Sequence, residues 1–123
     1  MARFRLSAPA QSDLETILAT SLEHWGEQGQ ARYASLLSAS FRAIAQNPTG
    51  PTTKARDDLV ANLRSFHLRH GRRGHGVRTP VHLVYYQVID PDVIEVVRVL
   101  HERMDPMRHF NEATEPTKRP RRG

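Results

Sequence analysis

Residues 93–110 read VIEVVRVLHERMDPMRHF, and the fold follows from how this stretch is parsed. Six of its first eight positions are apolar, interrupted by Glu95 and Arg98, with a period near two. Val93, Val97 and Val99 fall on one side, and Ile94, Val96 and Leu100 on the other. A strand apolar on both sides belongs inside a sheet, covered from above and below. His101, Glu102 and Arg103 then follow at once. Imidazole and charge therefore arrive at a sheet rim, held by a rigid element. After them the spacing predicts a short helical turn near Pro106–Phe110.

Moving outward, Val81–Ile89 is a second strongly apolar strand, and Asp90-Pro91-Asp92 has turn chemistry with proline at its second position. The two strands pair as a hairpin. Tyr85 and Tyr86 are consecutive, so one faces the core and the other the opposite side. Upstream, Gly71–Pro80 (GRRGHGVRTP) is a mobile basic loop, and Leu63–His70 (LRSFHLRH) reads as a strand with Phe66 and Leu68 on one face. Residues 48–53 form a loop, and 54–62 combine loop with a helical turn.

At the N-terminus, Arg3–Leu6 alternates charged and apolar residues and opens the fold as a short strand. Ser7 is placed to cap a helix that tolerates Pro9 in its first turn. Leu14, Ile17, Leu18, Leu22 and Trp25 make one helical stripe. Trp25, closing that stripe, reads as a core anchor. Gly26 and Gly29 bracket a break, after which Tyr33, Leu36, Leu37, Phe41 and Ile44 define a second helix that Pro48 ends. Helices so closely joined lie antiparallel. The expected class is α+β: an N-terminal strand, an antiparallel helical hairpin on one face of a small twisted antiparallel sheet, and a short C-terminal helical turn. The other sheet face is expected to be open and lined by Arg and His. Residues 1–110 form a single domain, and 111–123 read as a disordered basic tail.

Composition narrows the function. The chain has 123 residues and no cysteine, which removes disulfides, thiolate chemistry and cysteine-based zinc sites. No apolar run is long enough to span a bilayer, and MARFRLSAP lacks a secretion-signal core, so a cytoplasmic protein is expected. Eighteen Lys+Arg against 13 Asp+Glu give a net charge of +5, which favours an anionic partner mildly, or reflects arginine-rich codon usage.

Candidate chemistry is sparse. His67 and His70 stand three apart in a strand and point to opposite faces, and no HExxH-type spacing occurs, so no metal is expected. The serines fall on or beside helices without a glycine elbow. GRRGHG is glycine-rich but lacks the lysine and helix start of a nucleotide cradle. His101, Glu102, Arg103 and Asp105 are the best acid–base set, with a salt-linked corner as the plainer account.

Taken together, FRLSAPAQSDLETI, HWGEQGQARY, LRSFHLRH, HLVYYQV and VRVLHERMDPMRHF resemble a toxin of the RelE/ParE superfamily, in its ParE branch. The last string is the most specific, matching an R-[IV]-L-H-x-x-M-D pattern followed by R-H. The resemblance covers about residues 3–110. It implies a helical hairpin on a small antiparallel sheet, and the toxin half of a type II toxin–antitoxin pair. The implied target is DNA gyrase, hence DNA replication, with neutralisation by a ParD-like antitoxin in a hetero-oligomer. No cofactor, membrane or sequence-specific nucleic-acid contact is implied.

RelE-type relatives instead cut messenger RNA on the ribosome, with arginines on the strand and after the last strand, and a late tyrosine. Here His82 and Glu102 occupy the two arginine places, and no tyrosine follows Tyr86. Arg103, one residue on, keeps the ribonuclease alternative open, beside a third reading as an inactive basic binding module. For the toxin reading, target contacts are expected from Arg64, Arg69, Arg72, Arg73, Arg78, His101, Arg103, Asp105, Arg108 and His109. Antitoxin contacts are expected from Trp25, Tyr33, Leu37 and Arg98, with Arg98 and Asp105 as intramolecular ties instead. No catalytic residue is assigned.

Overall fold

The computed structural model describes residues 2–114 of the chain. In order it contains β1 (Arg3–Leu6), α1 (Ala8–Gln46), β2 (Thr53–Ala55), β3 (Leu63–His67), a 3-10 turn (Leu68–Gly71), β4 (His82–Asp90), β5 (Val93–His101) and α2 (Pro106–Thr114). The strands form one sheet in the order β1-β5-β4-β3-β2. β2 was not legible in the sequence, and the sheet is mixed, because β1 runs parallel to β5 while the other pairings are antiparallel. The tail from residue 115 onward lies outside the described residues.

α1 contains the expected break. Gly26 adopts φ 74°, ψ −175°, a conformation open in practice only to glycine, and the helix folds back there. Across the bend, the Gln30 side-chain amide donates to the Leu18 carbonyl at 3.0 Å. Gly29 is required by closeness, since a Cβ on it would stand 2.2 Å from the Trp25 Cβ. At the other end Ser7 caps the helix, its hydroxyl accepting the Ala10 N–H at 3.1 Å.

The main core lies between the helical arms and one sheet face. Ile17, Leu36, Leu37, Phe41 and Ile44 meet Phe66, Val84, Tyr86, Ile94, Val96 and Val99. Tyr86 is fully buried, and its hydroxyl donates to the Pro48 carbonyl, fixing the exit of α1. Truncating Leu36 or Ile44, both with no exposure, would cost about 2–5 kcal/mol.

The second sheet face is not open as expected. Leu63, Tyr85, Leu100 and Phe110 form a smaller core under α2, with Leu59 and Val60 at its margin. Both tyrosines are therefore buried. Strict alternation in β5 also fails. Tyr85 pairs with Arg98 but Tyr86 with Val96, leaving Val97 as a bulge. Beyond it Val99 joins Ile94 and Val96 on the helical side, and Leu100 the other.

Trp25 departs from its expected role as core anchor. It is 73% exposed, because the helix folds back immediately after it and carries the ring beyond the sheet.

Candidate functional site

The rim where β5 ends concentrates the titratable groups. His101 pairs in register with His82 at the start of β4, and their rings meet edge-on at 5.4 Å. From α1, the Tyr33 hydroxyl bonds His82 Nδ1 at 2.6 Å and accepts the Val81 N–H at 3.3 Å. The one hydroxyl thus serves both groups, accepting the Val81 N–H and sharing a single hydrogen bond with the imidazole. Burial lowers His82 to about 4, with His101 adding to the effect, and burial likewise raises Tyr33. At neutral pH both are uncharged.

A second histidine pair uses the opposite face. His67 Nδ1 accepts the Arg69 N–H at 3.0 Å, and Nε2 meets Glu102 Oε1 at 2.8 Å. This bond to His67 holds the Glu102 carboxyl below its usual range, with neighbouring cations helping. Glu102 is thus committed within the fold, on the side away from His82. The alternation of the strands explains the separation. Among the described residues no group of three or more His, Asp or Glu is arranged to hold a metal ion.

Tyr33, His82 and His101 line a groove of about 880 Å³. Thr16, Ile17, Thr20 and Trp25 of α1 line it as well, together with Val77, Arg78 and Met104. More of its exposed lining is apolar than polar, a combination suited to an amphipathic partner. A second hollow of about 790 Å³ lies outside it, lined by Arg69, His70, Arg72, Arg73, Arg78 and the small residues between them.

The expected site residues divide accordingly. Arg69, Arg72, Arg73 and Arg78 are exposed around the second hollow. Arg103, Asp105 and Arg108 are exposed at the start of α2, where Asp105 Oδ1 accepts the Met107 N–H at 3.1 Å. Arg64 is half-buried and bonds Thr53 Oγ1 at 2.8 Å, which ties β3 to β2. His109 is half-buried and its carbonyl accepts from Arg98. Trp25 and Tyr33 both line the large groove.

Two residues expected on the antitoxin surface lie inside the fold. Leu37 is 3% exposed and belongs to the main core, because the second helical arm turns that side to the sheet. Arg98 joins Asp13, as its alternative reading as a tie had it. Thr16, Ile17, Thr20, Val77 and Met104 entered the groove without being singled out in the sequence. The only trace was Thr16 and Thr20, four apart on one helix side and interrupting apolar neighbours.

The comparisons agree with one another. A family model described as the ParE toxin of type II toxin–antitoxin system, parDE, matches residues 4–106. A protein of Caulobacter vibrioides named Toxin ParE1 is 32% identical over 110 residues, covering 89% of this chain and 99% of the relative. A Toxin ParE1 of Mycobacterium tuberculosis is 30% identical over 103 residues, covering 84% of this chain and 92% of the relative.

Proposed function

Because this chain belongs to the ParE toxin family of type II toxin–antitoxin systems, we propose that it acts by inhibiting DNA gyrase without enzymatic chemistry of its own. In this reading it stops DNA replication in the cytoplasm until a cognate ParD-like antitoxin binds it directly. No helix among the described residues is long and apolar enough to cross a membrane.

The observation that carries the antitoxin half is the apolar groove with Trp25 standing 73% exposed at its wall. An amphipathic helix of the antitoxin would lay its apolar side on Ile17, Trp25 and Val77. A following extended segment has the outer edge of β2 to pair with, because β2 borders only β3. The far half of β5 is not available for strand addition. There the Ser7 hydroxyl donates to the Val97 carbonyl at 2.7 Å, and Asp13 accepts the Val99 N–H at 2.9 Å.

The rim chemistry supports a binding role over catalysis. Cleavage of a phosphodiester by the neighbouring 2′-hydroxyl needs fixed positive charge at the phosphate and a proton-transfer group. His82 is neutral and already bonded by Tyr33, and Glu102 is an anion held by His67. On this reading Arg103, Arg108 and the exposed loop arginines contact the target.

Supercoiling of relaxed plasmid by purified gyrase tests the proposal. Micromolar toxin should suppress supercoiled product, and preincubation with the antitoxin should restore it. Full supercoiling at that concentration would overturn the gyrase reading. New message ends on translated transcripts, abolished by Arg103→Ala, would establish the ribonuclease alternative. Unaltered growth when the toxin is expressed alone would establish the inactive binding module.

A further inference from the structure

The 31 residues from Leu59 to Ile89 contain five arginines, no lysine and no carboxylate. The fold gathers four of them, Arg69, Arg72, Arg73 and Arg78, around the outer hollow of about 790 Å³. Among the described residues no carboxylate forms a salt bridge with any of the four. Like charges around one concavity repel, and among the described residues no salt bridge offsets that repulsion.

The loop is nevertheless built to hold them. Arg72 Nη1 donates to the Arg78 carbonyl at 3.0 Å, closing the loop on itself. Gly76, at φ 73°, lets the Arg32 side chain pass close, since a Cβ there would lie 2.6 Å from Arg32 Cδ. A fifth arginine stem is thereby packed against the loop.

We propose that this hollow binds the phosphodiester backbone of nucleic acid without reading its base sequence. Guanidinium groups present paired donors that match phosphate oxygens, which a lysine ammonium does not. The hollow's lining holds no Phe, Tyr or Trp, and its one ring, His70, packs against Phe66 at 5.7 Å, so it offers no platform on which successive bases could stack. Val77 is its only large apolar contributor. An acidic peptide would find its apolar seat in the neighbouring groove instead, which favours phosphodiester as the occupant here. The inference concerns the toxin alone and does not depend on gyrase being the target.

Fluorescence anisotropy on the full chain, with a labelled mixed-sequence DNA duplex and an RNA single strand of equal length, tests it. Four phosphate contacts on duplex DNA predict an affinity loss of about 10²-fold between about 50 and 200 mM salt. Arg72→Ala with Arg73→Ala should weaken binding about 10-fold at low salt, set by two lost phosphate contacts. Arg3→Ala with Arg42→Ala removes the same charge from exposed positions elsewhere and should change it less than about twofold. Tighter binding to the duplex identifies DNA as the natural polymer, and tighter binding to the single strand identifies RNA; both uphold the site. Absence of binding to either at low salt, equal losses in the two double variants, or displacement by an equimolar polyglutamate would overturn it. Supercoiling inhibition is read separately, so failure of one proposal does not imply failure of the other.

Discussion

Asp13 in the first arm of α1 and Arg98 in β5 are joined by two hydrogen bonds of 2.8 Å, although 85 positions separate them in the chain. The same carboxylate accepts the Val99 N–H, and the guanidinium reaches the His109 carbonyl. Their side chains are only 14% and 13% exposed. The pair therefore joins the helical hairpin, the end of the sheet and α2 at one point.

Removing one partner leaves the other charge with little solvent, so Asp13→Ala or Arg98→Ala should lower unfolding free energy by about 3 kcal/mol. Asp13→Asn keeps an acceptor for Val99 and should cost about half as much. Urea denaturation monitored by Trp25 fluorescence and by circular dichroism reads both. Losses below about 0.5 kcal/mol would mean that the pair behaves as an ordinary surface contact.

Stability should fall as the solution is acidified from neutral pH. His82 titrates at about 4 in the fold and at about 6.5 when unfolded. Between those values the unfolded chain binds the extra proton, so folding stability is complete above the upper value and is lost on going down to the lower. The full effect is at most about 3 kcal/mol. His70, lowered by burial, acts in the same direction. Glu102, held low by His67, adds a loss at the acid end, as pH falls through the carboxylate range. Denaturation midpoints of the protein and of His82→Asn, compared from neutral pH to pH about 4, should show a flatter profile for the variant.

Tyr33→Phe probes the same rim from the other side. It leaves the Val81 N–H and His82 Nδ1 without their shared partner, at a cost of about 1–3 kcal/mol. Freed of that bond, the His82 resonances in an NMR titration should move with a changed midpoint. An unchanged midpoint and unchanged stability would show that the hydroxyl contributes nothing to either.

Trp25→Ala should separate binding from folding. The ring is 73% exposed, so its removal should alter stability by no more than about 0.5 kcal/mol. If Trp25 anchors the antitoxin helix, Kd should rise about 30-fold, corresponding to about 2 kcal/mol. Isothermal titration with the antitoxin measures it. A Kd within about twofold of the parent would remove Trp25 from the interface.

The strands and helices were legible because their period was strong: the stripes from Leu14 to Trp25 and from Tyr33 to Ile44, and the apolar run from Val93 to Leu100, allow few other parses. What the sequence concealed were exceptions to periodicity. The bulge at Val97 reverses the faces of Val99 and Leu100, and nothing in a run of valines marks where a ladder slips. Trp25 looked apolar enough for the core, yet the bend at Gly26 decides its exposure, and direction of approach is not written in composition. β2 is three residues of polar and small character, and it exists through its pairing with β3. The Tyr33–His82 bond joins residues 49 apart, so only tertiary placement could reveal it.

Gly26 controls whether the two helical arms stay together. No atom lies within 4 Å of where its Cβ would be, so Gly26→Ala meets no steric neighbour, and its effect is purely conformational. Alanine at φ 74°, ψ −175° is strained by about 1–3 kcal/mol, while it gains about 1 kcal/mol in a continuous helix. Both effects favour straightening α1. A straight α1 carries β1 and the first arm away from their own sheet, and a second copy can supply the missing arm to each, restoring every contact except the bend. Gly26→Ala is therefore expected to populate a swapped dimer at high concentration, detectable by size-exclusion chromatography with light scattering. Gly74→Ala, also at positive φ and also without a neighbour, lies in the basic loop and should remain in the parent's oligomeric state. A dimer in both variants, or in neither, would show that the bend at Gly26 does not set the connectivity of the hairpin.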